Sequence, residues 1–202
     1  MKTVKVLPWF LSYILIGCQS TPAKLPILGE TEVSNGDTLY YTVSDFNFLD
    51  QDSQVVSKAT LSDKIYIADF FFTSCPTICP KVKAQMLRIN EKFAEEPRLS
   101  FLSHSIDYRK DSIPVLNRYA AKLGITGGRW HLVQLQKDQI ESVANQYFNI
   151  AFEDETAPGG FDHSGRLILV DTKGRIRSYC DGTDEQDVDR FMQDIELLLD
   201  EE

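Results

Sequence analysis

An apolar run that ends in two closely spaced cysteines limits this chain more than any other stretch. Residues 65–72 read Ile-Tyr-Ile-Ala-Asp-Phe-Phe-Phe, short, β-branched and aromatic, with Asp69 as the single charge. That is the pattern of a strand buried on both faces. Residues 81–93 place Val82, Met86, Leu87, Ile89 and Phe93 on one side of an amphipathic helix. Between them lies Cys75-Pro76-Thr77-Ile78-Cys79-Pro80. The cysteines therefore sit where a strand turns into a helix, and the free N–H groups and positive dipole end found there favour a thiolate. Positions i and i+4 share a helical face, so both sulfurs can address one atom. Two thiolates suit a soft metal such as Cu(I); the same pair can also close into a disulfide. Pro76 fits a first helical turn. Pro80, further in, is expected to tighten or kink the helix start.

The rest of the chain fits one domain around this junction. At 202 residues and 43% hydrophobic content it can build an ordinary core. A net charge of −9 without any Lys/Arg cluster excludes a nucleic-acid partner. Cys18, Cys75, Cys79 and Cys180 are too few and too scattered for a disulfide framework; one close pair and two singles read as a site.

Residues 1–17 read as a secretory signal: Lys2 and Lys5 precede an apolar run too short to span a bilayer. The run ends in Leu15-Ile16-Gly17-Cys18, which resembles a bacterial lipobox and implies cleavage before Cys18 and its lipidation. Residues 18–37 then read as a tether, and 38–202 as the domain. An extracytoplasmic, membrane-anchored placement on the periplasmic face follows, where disulfides are allowed. After a β-hairpin entry over residues 39–56, the strand 65–72 and the cysteine helix lead to a strand over 98–106. A helix over 114–123 is capped by Gly124, followed by a strand over 130–135 and a helix over 138–148. The turn-rich loop 153–160 delivers Phe161-Asp162-His163-Ser164. A hairpin over 166–179 and an amphipathic helix over 184–199 close the chain. This order predicts an α/β fold with a central mixed sheet flanked by helices and an N-terminal β-hairpin, in the thioredoxin-like layout.

Three blocks carry a resemblance to a family. Asp69-Phe70-Phe71-Phe72-Thr73-Ser74-Cys75-Pro76-Thr77-Ile78-Cys79-Pro80 is similar to the strand and CPxxCP-type metal loop of the Sco/SenC family. Ser105-Ile106-Asp107-Tyr108-Arg109-Lys110-Asp111 is similar to its S-[VI]-D-P-x-x-D segment, and Asp162-His163-Ser164 to its distal histidine block. Two departures stand out: Tyr108-Arg109 replaces Pro and a variable residue, and Cys180 lies outside the usual pattern. The resemblance covers residues 38–200. It implies a thioredoxin-like copper protein of cytochrome c oxidase assembly, with Cys75, Cys79 and His163 as ligands for Cu(I), and also Cu(II).

From these readings the expected activity is that of a copper metallochaperone. It delivers copper to the binuclear site of cytochrome c oxidase subunit II, acts as a monomeric domain, and has the oxidase or its assembly factors as partners. The alternative is a thiol–disulfide oxidoreductase with Cys75 or Cys79 as nucleophile. The three-residue spacing and the distal histidine favour metal over dithiol exchange, since exchange needs no histidine. Asp162 is a candidate partner for His163. His104 and His131 read as packed residues, Asp107 and Asp111 as groups that either orient the site or cap the following helix, capping being the preferred reading, and Cys180 as an inert buried thiol.

Overall fold

The computed structural model describes residues 24–202 other than Asn35 and Gly127. The expected signal peptide, Cys18 and the first part of the expected tether lie outside the described residues. A five-stranded sheet with strand order β11-β10-β5-β6-β7 forms the centre. Its strands are β5 (Ile65–Phe71), β6 (Leu99–Ser105), β7 (Trp130–Gln134), β10 (Arg166–Val170) and β11 (Ile176–Asp181). Strands β5, β6 and β7 run parallel; β10 pairs antiparallel with β5, and β11 antiparallel with β10, so β10 alone runs against the other four. Every residue of β5 and β6 is buried. This is why β5 reads as a continuous apolar run rather than an alternation: both faces are covered. The mixed sheet and flanking helices are the thioredoxin-like layout expected from the element order.

Among the described residues, four α-helices accompany the sheet: α1 (Ile78–Lys92), α2 (Ile113–Leu123), α3 (Ile140–Gln146) and α4 (Glu185–Glu201). Helix α2 ends on Gly124 at φ 70°, a left-handed position that only glycine fills without strain. Helix α4 buries Val188, Phe191, Ile195 and Leu198 and lies beside α1, joined by the ion pairs Arg88–Asp189 and Lys92–Glu196.

The N-terminal part holds two small hairpins rather than one. The first pairs β1 (Thr31–Ser34) with β2 (Asp37–Tyr40), all exposed, and the second pairs β3 (Asn47–Leu49) with β4 (Val55–Ser57). The described part of the stretch expected to be a tether is docked. Leu28 donates its N–H to the Ile176 carbonyl at 2.8 Å, and the buried Arg177 guanidinium donates to the carbonyls of Leu25 and Pro26. The stretch thus covers the free edge of β11, which would otherwise offer unpaired backbone groups. No described helix is long and apolar enough to cross a membrane.

A further hairpin stands apart from the central sheet. Strand β8 (Ala151–Glu153) pairs antiparallel with β9 (Phe161–His163), and Ala151 faces His163 in register. Residue 163, expected in a loop, therefore ends a strand.

Candidate metal centre

The cysteine side of the site is built by the end of β5. Its last residue, Phe71, faces Ser105 of β6, and beyond it the chain leaves the sheet. The Cys75 N–H donates to the Phe72 carbonyl at 3.2 Å, curling the loop back. Thr73 is pinned beneath this turn: its N–H and hydroxyl both donate to Asp111, at 2.8 and 2.5 Å, and the Ser105 hydroxyl donates to the same carboxylate at 2.6 Å. Asp111 is thus a brace for the cysteine loop. The expected capping role is corrected: the N-cap of α2 is Ser112, and Asp107 accepts from the N–H groups of Arg109 and Lys110 in a local turn.

Helix α1 starts at Ile78, earlier than expected. Cys79 and Pro80 both fall in its first turn, where N–H groups have no intrahelical partner, so Pro80 removes nothing the helix needs. Cys75 lies before the helix. The two sulfurs therefore meet through the curl of the loop, not by sharing a helical face.

His163 arrives from the opposite side on β9. Its Nε2 lies 3.3 Å from Cys79 Sγ, and its ring meets Phe72 edge-on with centroids 5.5 Å apart. Phe161 packs on the same Phe72 ring at 5.5 Å. The connecting loop closes so tightly over Phe72 that a Cβ on Gly159, at φ +88°, would sit 2.5 Å from the ring; only glycine allows this approach. One ligand atom each from Cys75, Cys79 and His163 lie within 4.8 Å of one another. Two metal–sulfur bonds of roughly 2.3 Å each span a similar distance, so the donor set fits one soft ion after small adjustments. Exposure is low throughout: 8% for Cys75, 2% for Cys79 and 7% for His163. His163 Nδ1 is buried without a hydrogen-bond partner among the described residues. Asp162 is not that partner: it alternates outward on β9 and is exposed.

The two thiols share a proton unequally. The hydrogen bond with Cys79 draws the Cys75 thiol down to about 3, against the effect of burial and with help from His163. The same bond, together with burial, pushes Cys79 well up. Cys75 is accordingly the more acidic sulfur of the pair, and loading an ion across both sulfurs displaces the proton they share.

The remaining candidates are structural. His104 is fully buried, with Nδ1 3.2 Å from the Asp69 carbonyl and its ring stacked on Phe70; burial pulls it down to about 4, so it is neutral. His131 Nδ1 lies 2.8 Å from Asp50. Cys180 is fully buried on β11 opposite Leu167, and burial pushes its thiol up.

One buried charge behind the site is not foreseen from the sequence. Lys83, one turn after Cys79, is buried and pairs with Asp69 at 2.8 Å. The Ser103 hydroxyl donates to Asp69 at 2.5 Å and accepts from Lys83 at 2.8 Å and from Trp130 Nε1 at 2.9 Å. The signal was present: positions 79, 83 and 86 recur on one helical face, so Lys83 points where only apolar side chains were expected.

A family model described as SCO1/SenC matches residues 36–200. The chain belongs to the SCO1/SenC family. A Bacillus subtilis SCO1 protein homolog is 29% identical over 161 residues, covering 79% of this chain and 83% of the relative. A Stutzerimonas stutzeri protein, described as a candidate copper-binding protein, is 29% identical over 147 residues, 68% of each chain. Among solved structures, BsSco is described as having a disulfide switch and as a member of the Sco family of cytochrome c oxidase assembly proteins. It superposes with a TM-score of 0.69 at 28% identity over 78% of this chain and 93% of its own. A SCO1/SenC lipoprotein from Bacillus anthracis has TM-score 0.71 at 23% identity, covering 79% and 95%. Copper-bound ScoI from Arabidopsis thaliana has 0.66 at 20%, covering 80% and 99%. The last two establish likeness of fold.

Proposed function

We propose that this protein is a copper metallochaperone that takes Cu(I) on Cys75, Cys79 and His163 and passes it to the binuclear copper site of cytochrome c oxidase subunit II. The observation that carries the reading is the convergence of two sulfurs and one imidazole nitrogen within 4.8 Å in a nearly dry site. Soft thiolates select Cu(I) over harder cations, and a single imidazole completes the set. Three ligands leave the ion open to a fourth, from a recipient, so transfer can proceed by stepwise ligand exchange. Cu(II) occupies the same residues. Membership of a family that includes oxidase assembly proteins and a lipoprotein supports the oxidase as recipient and a lipid on Cys18 as the anchor, with the domain outside the cytoplasm.

The unequal thiol pair supports a second reading, reduction of the recipient's cysteines. The Cys75 thiolate would attack a partner disulfide to form a mixed disulfide. Cys79, giving up its proton to the departing sulfur, would then displace the second partner thiol. The partner ends with one thiol and one thiolate, the latter taking its proton from water, and this chain as the Cys75–Cys79 disulfide. Cys180, buried and protonated, takes no part.

The test is a Cu(I) titration of the reduced domain against a competing chelator. Wild type is expected to bind one equivalent tightly, His163→Ala more weakly, and the Cys75→Ser/Cys79→Ser double variant not at all. Copper binding no better than that of the double variant, with rapid reduction of insulin, would replace the chaperone reading by the reductase one. Mass spectrometry of the mature N-terminus tests the anchor; an unmodified chain starting upstream of Cys18 would remove it.

A further inference from the structure

His163 is carried by a hairpin that pairs with no strand of the central sheet; its ring packs on Phe72, and polar contacts at the hairpin's rim tie it to the rest of the domain. The hairpin's far end supplies a handle. Glu153 on β8 faces Phe161 on β9, two residues before His163. Three donors from outside the hairpin converge on its carboxylate: Lys137 Nζ at 2.7 Å, Tyr108 Oη at 3.0 Å and Arg109 Nη1 at 3.5 Å. The Arg109 guanidinium also lies over the rings of Phe161, at 5.2 Å, and of Tyr108, at 5.3 Å. These donors stand on firm ground. The Tyr108 carbonyl accepts from Gln134 of β7 at 2.9 Å, and the buried Asp107 carboxylate accepts from the Arg109 N–H. Tyr108 and Arg109 are also the residues at which this chain departs from the Pro-x of the resembling segment; a proline there has no side-chain donor to offer.

We propose that Glu153, gripped by Tyr108, Arg109 and Lys137, is a latch that positions His163 and sets how readily copper leaves. The proposal rests on the copper reading above. The latch residues touch no metal; they act through the hairpin. With the latch closed, His163 lies against Cys79. With it open, the hairpin swings away and only the two sulfurs remain on the ion. The apparent affinity then scales with the closed fraction, and release to an acceptor passes through the open state. Half-exposed ion pairs suit this role, since each is worth little and is weakened by salt.

The experiment is stopped-flow release of Cu(I) from the loaded protein to a chelator in excess. The variants are Glu153→Ala, Glu153→Gln and Tyr108→Phe, each made with His163 intact and with His163→Ala. Release is expected to quicken about tenfold in Glu153→Ala, the lower end for losing hydrogen bonds to a charged group, and about threefold in the two conservative variants, the scale of one exposed pair. No latch variant should alter release when His163 is already Ala. Added salt should quicken release in wild type and leave Glu153→Ala unmoved. Equal acceleration in the His163→Ala background would mean that Glu153 supports only the fold, and would overturn the latch. Unchanged release in Glu153→Ala, beside faster release in His163→Ala, would overturn the latch alone. A wild type that holds no Cu(I), or that releases it no more slowly than His163→Ala, would overturn the copper reading and the latch with it.

Discussion

The two halves of the candidate site are held in opposite ways. The cysteine half grows from a fully buried strand of the sheet, is braced by Asp111 through Thr73, and is backed by the Asp69–Lys83–Ser103 network. The histidine half stands on a hairpin of two three-residue strands outside the sheet, held by a tight turn over Phe72 and by polar contacts at its rim. A carrier that must both hold and surrender an ion benefits from this asymmetry. If Cys75, Cys79 and His163 hold the ion as proposed, two ligands would stay fixed and one could move, so release would not require opening the core.

If the cysteine half is the rigid one, damage there should cost the fold itself. Lys83→Ala leaves Asp69 charged and buried without its partner, and should destabilise the apo protein by about 3–5 kcal/mol in chemical denaturation. A loss under 1 kcal/mol, on that same scale for exposed pairs, would show that this half is no firmer than the other. Damage to the histidine half should spare most of the stability and strike the metal. Gly159→Ala puts a methyl into Phe72 and forces an unfavourable backbone region, a cost of about 1–3 kcal/mol. Because the strain is relieved by lifting the loop, Cu(I) affinity should fall by more than this stability loss alone explains. Equal affinity in Gly159→Ala would refute the link between loop and ligand.

A smaller effect separates the two cysteines. Since the hydrogen bond with Cys79 holds the Cys75 thiol down to about 3, the thiolate persists as pH falls. Its alkylation rate should stay flat from pH 8 down to about pH 5, whereas an ordinary thiol slows tenfold per unit below about 8.5. Mass spectrometry after timed alkylation of the apo protein should find Cys75 labelled first and Cys180 unlabelled. A Cys75 rate that falls with pH like a free thiol would contradict the shared proton. In His163→Ala the profile should keep its shape, because the Cys79 bond is the larger cause.

The same contrast governs what the sequence could reveal. Strand β5, helix α1 and the closing hairpin and helix were legible because long buried elements repeat a period that composition alone enforces. The β8–β9 hairpin was not: two three-residue strands flanking Pro158-Gly159-Gly160 carry too little pattern to separate strand from loop. The start of α1 was misjudged because Pro80 looks like an interior breaker until the helix is seen to begin at Ile78. Asp111 looked like a cap because it immediately precedes the N-cap Ser112; its bonds to Thr73 and Ser105 join residues far apart in the chain or on a neighbouring strand. The ligand set itself followed from residue chemistry and a family resemblance, and the structure brings those three side chains together. Lys83 was not legible because its buried partners, Asp69 and Ser103, lie on strands distant in the chain.

The central claim is that one copper ion is held by two sulfurs from the rigid half and one nitrogen from the movable half. X-ray absorption spectroscopy of the Cu(I)-loaded protein tests it most directly. Two sulfur scatterers and one imidazole nitrogen are expected in wild type, with the nitrogen shell alone lost in His163→Ala. A sulfur-only shell in wild type, or one unchanged by removing His163, would contradict the account.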